Sequence, residues 1–257
     1  MILGKYNASG NDFAIFHSFL SKDRSALARR LCDRFSGVGA DGLIVLLPAD
    51  DSSCDVKWEF YNSDGSVASM CGNGSRAAAL YAYENGLASA NMRIKTLAGI
   101  IEASISDDIS DKKLVEVALT SPKKLRDSFS EQGWQWHFYD TGVPHLITFT
   151  QDLNDFDKEL ARHMRHKYNA NVNYALIQNN ESIKVRTFER GVEDETMACG
   201  TGMAASFYAG YDLGELNASI NVYPKSNELL FLRFENGKIY FKGVLSHSFD
   251  AVIKDAF

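Results

Sequence analysis

Phe60-Tyr61-Asn62, followed nine residues later by Cys71-Gly72-Asn73-Gly74, returns without a gap as Phe188-Glu189-Arg190 and Cys199-Gly200-Thr201-Gly202. The offset is 128 residues in a chain of 257, so the repeat sits at the midpoint. Ala77 and Ala205 coincide in the same alignment, and each Cys-Gly-x-Gly opens an apolar helical stretch. A match at this offset, with similar elements on either side, points to an internal duplication. Two domains are expected, 1–117 carrying Cys71 and 118–257 carrying Cys199. Similar halves can pack about a pseudo-two-fold axis, which would bring both helix starts to one central cleft.

Working outward, the first half reads as short strands around two helices. Periodicity predicts strands at 13–16, 42–47, 56–61, 92–98, 100–105 and 114–119, with helices at 24–35 and 72–85. The second half repeats the scheme with strands at 134–139, 145–149, 173–177 and 183–188, and helices at 157–168 and 200–213. Gly86 and Gly214 stop the two helices that follow the cysteines. Glu235-Asn236-Gly237-Lys238 predicts a hairpin turn between strands at 229–234 and 239–244. Pro122 and its polar surroundings mark the linker.

Composition narrows the class. Hydrophobic residues make up 45% and charged residues 23%, the balance of an ordinary globular protein. A net charge of −6 argues against a nucleic-acid or anionic-membrane surface, both of which need clustered Lys and Arg. The longest apolar run, 43–47, is far short of the roughly 20 residues of a membrane-spanning helix. No basic segment followed by an apolar one opens the chain, so a cytoplasmic location with reduced thiols is expected.

The four cysteines therefore do not form a disulfide framework. Cys32 falls on a helical stripe with Leu27, Ala28, Leu31 and Phe35, and Cys54 begins an alternation with Val56, Trp58 and Phe60; both read as buried small hydrophobes. Cys71 and Cys199 differ, because each precedes a helix. A helix N-terminus presents unpaired N–H groups and the positive end of the macrodipole, which favours a thiolate and can hold a carboxylate. Two such thiols around one bound carboxylate suit a single task. One thiolate removes an α-proton while the opposite thiol delivers one to the other face, and the helix ends stabilise the developing enolate-like charge.

Rival patterns are weaker. Gly37-Val38-Gly39-Ala40-Asp41-Gly42 fits GxGxxG but follows a helix and precedes a strand, the reverse of a dinucleotide site. Gly200-Thr201-Gly202-Met203-Ala204-Ala205 opens a helix, but an acidic loop precedes it in place of a buried strand. His163 and His166 lack the further ligands of a metal site, and neither Ser75 nor Ser206 has a G-x-S-x-G setting.

Six motifs in order, 7–13 (NASGNDF), 39–43 (GADGL), 60–76 (FYNSDGSVASMCGNGSR), 142–145 (GVPH), 171–174 (NVNY) and 189–202 (ERGVEDETMACGTG), give the chain a resemblance to the diaminopimelate epimerases over essentially its whole length. The resemblance implies an α+β fold of two similar pseudo-symmetric domains, each a curved, mostly antiparallel sheet wrapped around a central helix, with residues from about 246 packing back on the first. It implies epimerisation of LL- to meso-diaminopimelate on the route to lysine and peptidoglycan, without pyridoxal phosphate or metal. Cys71 and Cys199 would be the acid/base pair. Gly72, Asn73, Gly200 and Thr201 would hold the reacting carboxylate, and Asn11, Asn62, Asn171, Glu189 and Arg190 the distal amino acid. His145 would be a wall of the site or a structural histidine. The expected partner is a small amino acid, with a homodimer plausible for the family and no nucleic acid or membrane.

The chain departs from the pattern at Val143, where many members have asparagine, and at Gly42, where some have glutamine. The loop from Glu189 to Cys199 is one residue longer than in many members. The first two departures remove polar contacts to the distal end of a substrate. A racemase of proline, hydroxyproline or histidine, and a non-catalytic binding or redox-sensing relative, remain the alternatives.

Overall fold

The computed structural model describes residues 1–107 and 113–254. The chain divides into two compact units, Met1–Val117 with Gly243–Phe257, and Ala118–Lys242.

The first unit contains β1 (Ile2–Ala8), β2 (Asn11–His17), α1 (Ser25–Cys32), β3 (Gly42–Pro48), β4 (Val56–Asn62), α2 (Gly72–Glu84), β5 (Asn91–Thr96), β6 (Gly99–Asp107) and β7 (Lys113–Ala118). The strands pair in chain order. The β2–β3 and β4–β5 pairs are parallel and the others antiparallel. Each parallel step needs a crossover, and α1 and α2 supply them. α2 touches β1, β2, β3, β5 and β6, and every residue from 72 to 82 is buried. A helix buried on every side over this stretch, polar Asn73, Ser75 and Arg76 included, has no solvent face to offer, so the sheet wraps it. Ala77, Ala78, Ala79 and Ala82 keep it slim enough for strands to approach from several sides. α1 instead buries one stripe, Ala28, Leu31 and Cys32, against β3 and β4.

The second unit contains β8 (Lys123–Glu131), β9 (Trp134–Asp140), β10 (Pro144–Phe149), α3 (Lys158–Tyr168), β11 (Asn171–Asn179), β12 (Ser182–Glu189), β13 (Asp194–Thr196), α4 (Gly200–Asp212), β14 (Ser219–Tyr223) and β15 (Leu230–Glu235). β16 (Lys238–Val252) begins here, on β15, and ends in the first unit, where residues 246–252 pair antiparallel with β1. The pairing directions repeat those of the first unit. β10–β11 and β12–β14 are parallel, with α3 and α4 as their crossovers, and the neighbouring pairs are antiparallel. α4 occupies the place of α2, touching β9, β10, β11, β12 and β15. Each unit is therefore the predicted mostly antiparallel sheet around a central helix.

Three expectations need correction. The helix predicted to 35 stops at Cys32, because the Asp33 carboxylate accepts the N–H groups of Phe35 and Ser36 and turns the chain away. Phe35 consequently stands fully exposed and is not part of the buried stripe. β8, directly after Pro122, is a largely exposed and charged strand absent from the sequence reading, while residues 119–122 carry no regular structure. β1 was not predicted, since Gly4 and Lys5 interrupt its apolar alternation. Lys5 is nonetheless buried, with Asp12 of β2 at 2.7 Å. Cys32 and Cys54 are buried and free, as their patterns predict.

Candidate functional site

In the first unit, Cys71 is the N-cap of α2 and its extended backbone (φ −152°, ψ 120°) turns the sulfur back over the first turn. Sγ accepts the N–H of Gly74 at 3.3 Å, and the Asn11 Oδ1 lies 3.8 Å away. Gly72 and Asn73 follow as the first helical residues, where N–H groups lack intrahelical partners. The Asn73 side chain does not face outward. Its Oδ1 accepts Arg76 Nη2 at 2.9 Å, and the same nitrogen donates to Ser9 Oγ. Arg76 and Ser9 lie inside motifs that the sequence marked without giving them a part. Asn62, at the end of β4, is exposed and donates through Nδ2 to Ser66 Oγ at 3.0 Å within a tight turn.

A charge network backs this end of the unit. Arg34 forks over Asp12 at 2.9 and 3.1 Å and reaches Asp41 at 2.8 Å, while Lys5 pairs with Asp12 from inside. Burial alone would raise the Asp12 carboxyl, but hydrogen bonds from Arg34 and Lys5 outweigh it and hold it down at about 2. Asp41 in turn accepts Asn11 Nδ2 at 2.6 Å. At Gly42 a Cβ would stand 2.5 Å from the Phe60 ring and 2.9 Å from the Tyr61 carbonyl. The Phe60 ring thus fills the place where some family members carry glutamine.

In the second unit, Cys199 is the N-cap of α4 and is buried, without a side-chain bond to the helix backbone. Thr201 Oγ1 lies 3.6 Å from its sulfur, and Thr141 Oγ1 pins the helix start by donating to the Thr201 carbonyl at 2.8 Å. Gly200 packs under the Phe241 ring. Burial pushes the Glu189 carboxyl above the ordinary carboxylate value, with the Thr196 and Cys199 side chains beside it acting the other way. Arg190, next in sequence, points elsewhere. Its Nη1 donates to the Asn169 carbonyl at 3.0 Å, and its N–H donates to Asn171 Oδ1 at 2.7 Å. The two side chains expected to act together thus have separate partners.

His145 is fully buried beneath this group. Asn173 Nδ2 lies 3.1 Å from its Nδ1, and Asn171 Nδ2 3.4 Å from its Nε2. Burial, then the nearby Arg190 charge, push its pKa down to about 3, so the ring is neutral at working pH. Asn173 and Thr187, whose hydroxyl donates to Asn173 Oδ1 at 2.9 Å, were not singled out in the sequence. Only their contact with Gly202 reveals them. A Cβ there would stand 2.4 Å from Asn173 Oδ1 and 3.0 Å from Thr187 Oγ1. Among the described residues no group of three or more His, Cys, Asp or Glu could hold a metal ion, and no helix is long and apolar enough to cross a membrane.

Each unit therefore sets one cysteine at the start of its central helix, with amides or a carboxylate within reach of the sulfur. Among solved structures, a probable proline racemase from Agrobacterium radiobacter K84 is similar at a TM-score of 0.76, with 13% identity over 99% of this chain and 93% of the other. That likeness is one of fold. Sequence relatives are nearer. The diaminopimelate epimerase of Nitratiruptor sp. is 58% identical over 250 residues, 97% of each chain, and that of Campylobacter lari is 49% identical over 96% of each. The diaminopimelate epimerase family profile itself matches residues 4–125 and 137–244. With both cysteine-bearing helix starts inside the matched spans, the chain belongs to the diaminopimelate epimerase family.

Proposed function

We propose that the protein epimerises LL-diaminopimelate to meso-diaminopimelate by a two-base thiol mechanism, supplying lysine and peptidoglycan precursors. Family membership supports the substrate, and the carrying observation for the mechanism is that Cys71 and Cys199 each cap a repeat-related helix. One sulfur, as thiolate, takes the α-proton while the other, as thiol, returns a proton to the opposite face. The N–H groups of Gly72, Asn73, Gly200 and Thr201 hold the α-carboxylate and stabilise the charge it gains as the α-carbon becomes planar. Glu189, against Cys199, is suited to exchange a proton with that thiol as well as to meet an ammonium. Asn11, Asn62, Asn171 and Arg190 bind the distal zwitterion, Arg190 by a forked contact to its carboxylate.

No cofactor enters this reaction. The enzyme acts in the cytoplasm, as a homodimer. The test is wash-in of solvent deuterium at the α-carbon of LL-diaminopimelate by purified protein without additives, with meso product followed by chiral chromatography. Cys71→Ser and Cys199→Ser should each abolish turnover, because a hydroxyl is too weak a base at neutral pH. Near-normal turnover in either variant would falsify the two-base reading. Sedimentation or light scattering reports the dimer.

A further inference from the structure

We infer that Asp41 is a positioning residue that locks the Asn11 side-chain amide with its carbonyl oxygen toward the Cys71 sulfur, a role that rests on the reading of Cys71 as an acid/base group. A carboxylate offers only acceptors, so the Asn11 atom 2.6 Å from Asp41 Oδ2 is the amide nitrogen. The other end of the amide, Oδ1, is then the atom 3.8 Å from Cys71 Sγ. Asp41 itself has little freedom. Oδ2 also accepts the Asp12 N–H at 3.1 Å, Oδ1 accepts Arg34 Nη2 at 2.8 Å, and its own N–H donates to Asp12 Oδ1 at 2.9 Å. Arg34 and Lys5 hold Asp12 in place behind it.

The orientation matters because it sets what the sulfur meets. Gly74 N–H donates to Sγ, which suits thiol and thiolate alike. The Asn11 oxygen carries partial negative charge, so it accepts from an S–H and repels a thiolate. A turned amide would present N–H groups and favour the thiolate instead. Asp41 thus keeps the proton on Cys71 until the substrate draws it off. The same lock means that Asn11 offers this side an acceptor. That oxygen can take a hydrogen bond from an ammonium and cannot donate one to a carboxylate.

The test reads Cys71 alone. Iodoacetamide alkylation is followed against pH, with peptide mass mapping to separate Cys71 from Cys32, Cys54 and Cys199. In Asp41→Asn, a side chain of the same shape can accept or donate, and the Asn11 amide is released to turn. The midpoint of the Cys71 profile should fall by half a pH unit or more, with an unchanged plateau rate. Asn11→Ala, which deletes the acceptor, should move it the same way. The other charged side chains at this end of the unit, Lys5, Asp12, Arg34 and the buried Arg76, are the same in all three proteins.

Asn11→Ala keeps the Asp41 charge, so a fall there reads the amide alone; a purely structural role would raise the plateau by loosening the site and leave the midpoint of Asn11→Ala in place. An unmoved midpoint in either Asp41→Asn or Asn11→Ala overturns the inference. Should Asp41→Asn lack a cooperative melt, Arg34→Gln replaces it. That substitution, at an exposed side chain, slackens Asp41 and should give a smaller fall; no fall there overturns the inference equally. Turnover is not the readout, so failure here leaves the epimerase reading standing. Loss of the epimerase reading would show instead in the deuterium experiment.

Discussion

Gly202 shows how one missing methyl shapes the second unit. Its Cα lies under the Asn173–Thr187 hydrogen bond, and a Cβ would press on both partners at 2.4 and 3.0 Å. Alanine is worth up to about 1 kcal/mol over glycine in a helix interior, yet overpacking a tight site costs about 1–3 kcal/mol. Gly202→Ala should therefore destabilise by about 1–2 kcal/mol, read as a lower urea midpoint. Asn173→Ala in the same chain should recover part of that loss, and strict additivity of the two would show that they do not touch. Cysteine reactivity is a second test at this scale. Burial pushes the Cys32 thiol up to about 12, so native alkylation at pH 8 should leave it untouched while modifying Cys71. Labelling of Cys32 in the folded protein would contradict the packing. The helix-start cysteines were legible because a Cys-Gly-x-Gly before an apolar helix is a local pattern. The Asn11 lock and the Asn173–Thr187 support were not, because their partners lie 30 and 14 residues away and no local pattern joins them.

Most elements built on apolar periodicity were read, although β14, with Ile220 and Val222 buried in alternation, was not; β1 and β8, rich in charge, were missed. β1 joins the sheet with a lysine in its middle because Asp12 meets it across the β1–β2 pair. This contact has a pH signature. The Asp12 carboxyl is depressed from 3.8 to about 2, so its contribution is complete above pH 4 and is lost as pH falls toward 2. Thermal melts should show stability dropping across that window, less steeply in Asp12→Asn, which should also be weaker at neutral pH. Identical slopes for the two proteins would remove Asp12 as a source. β8 was invisible for another reason. It ends the strand order of its unit, where exposed Lys123, Lys124, Arg126 and Asp127 discourage further pairing and erase the alternation of a strand. α3 is the opposite case, its limits written in the chain. Asp157 accepts the N–H groups of Glu159 and Leu160, and Asn169 closes the helix in the left-handed region at φ 50°. Asp157→Ala should cost about 1 kcal/mol with turnover unchanged. A loss of activity at equal stability would mean that α3 does more than support its sheet.

At the scale of the whole molecule, the repeat seen in seven-residue fragments extends to every pairing direction in the two units, although little else in their sequences matches. Topology survives such drift because it needs only the right faces buried, whereas a site needs particular atoms. The departures from the family pattern accordingly bear on specificity and leave the fold intact. At Gly42 the Phe60 ring takes up the space, and at Val143 an apolar side chain stands where many members have an amide. On the proposed reading Arg190 leaves the Asn169 carbonyl to meet the second carboxylate of diaminopimelate, and a simple amino acid has none to offer it. Diaminopimelate should therefore be turned over in both LL and meso forms, with negligible racemisation of proline, histidine or lysine. Arg190→Met should raise KM for diaminopimelate at least tenfold, about 1.4 kcal/mol or more, while leaving residual kcat measurable. Unchanged kinetics in that variant, or faster turnover of proline or histidine than of diaminopimelate, would overturn the substrate while leaving the chemistry of the two thiols open to the serine variants alone.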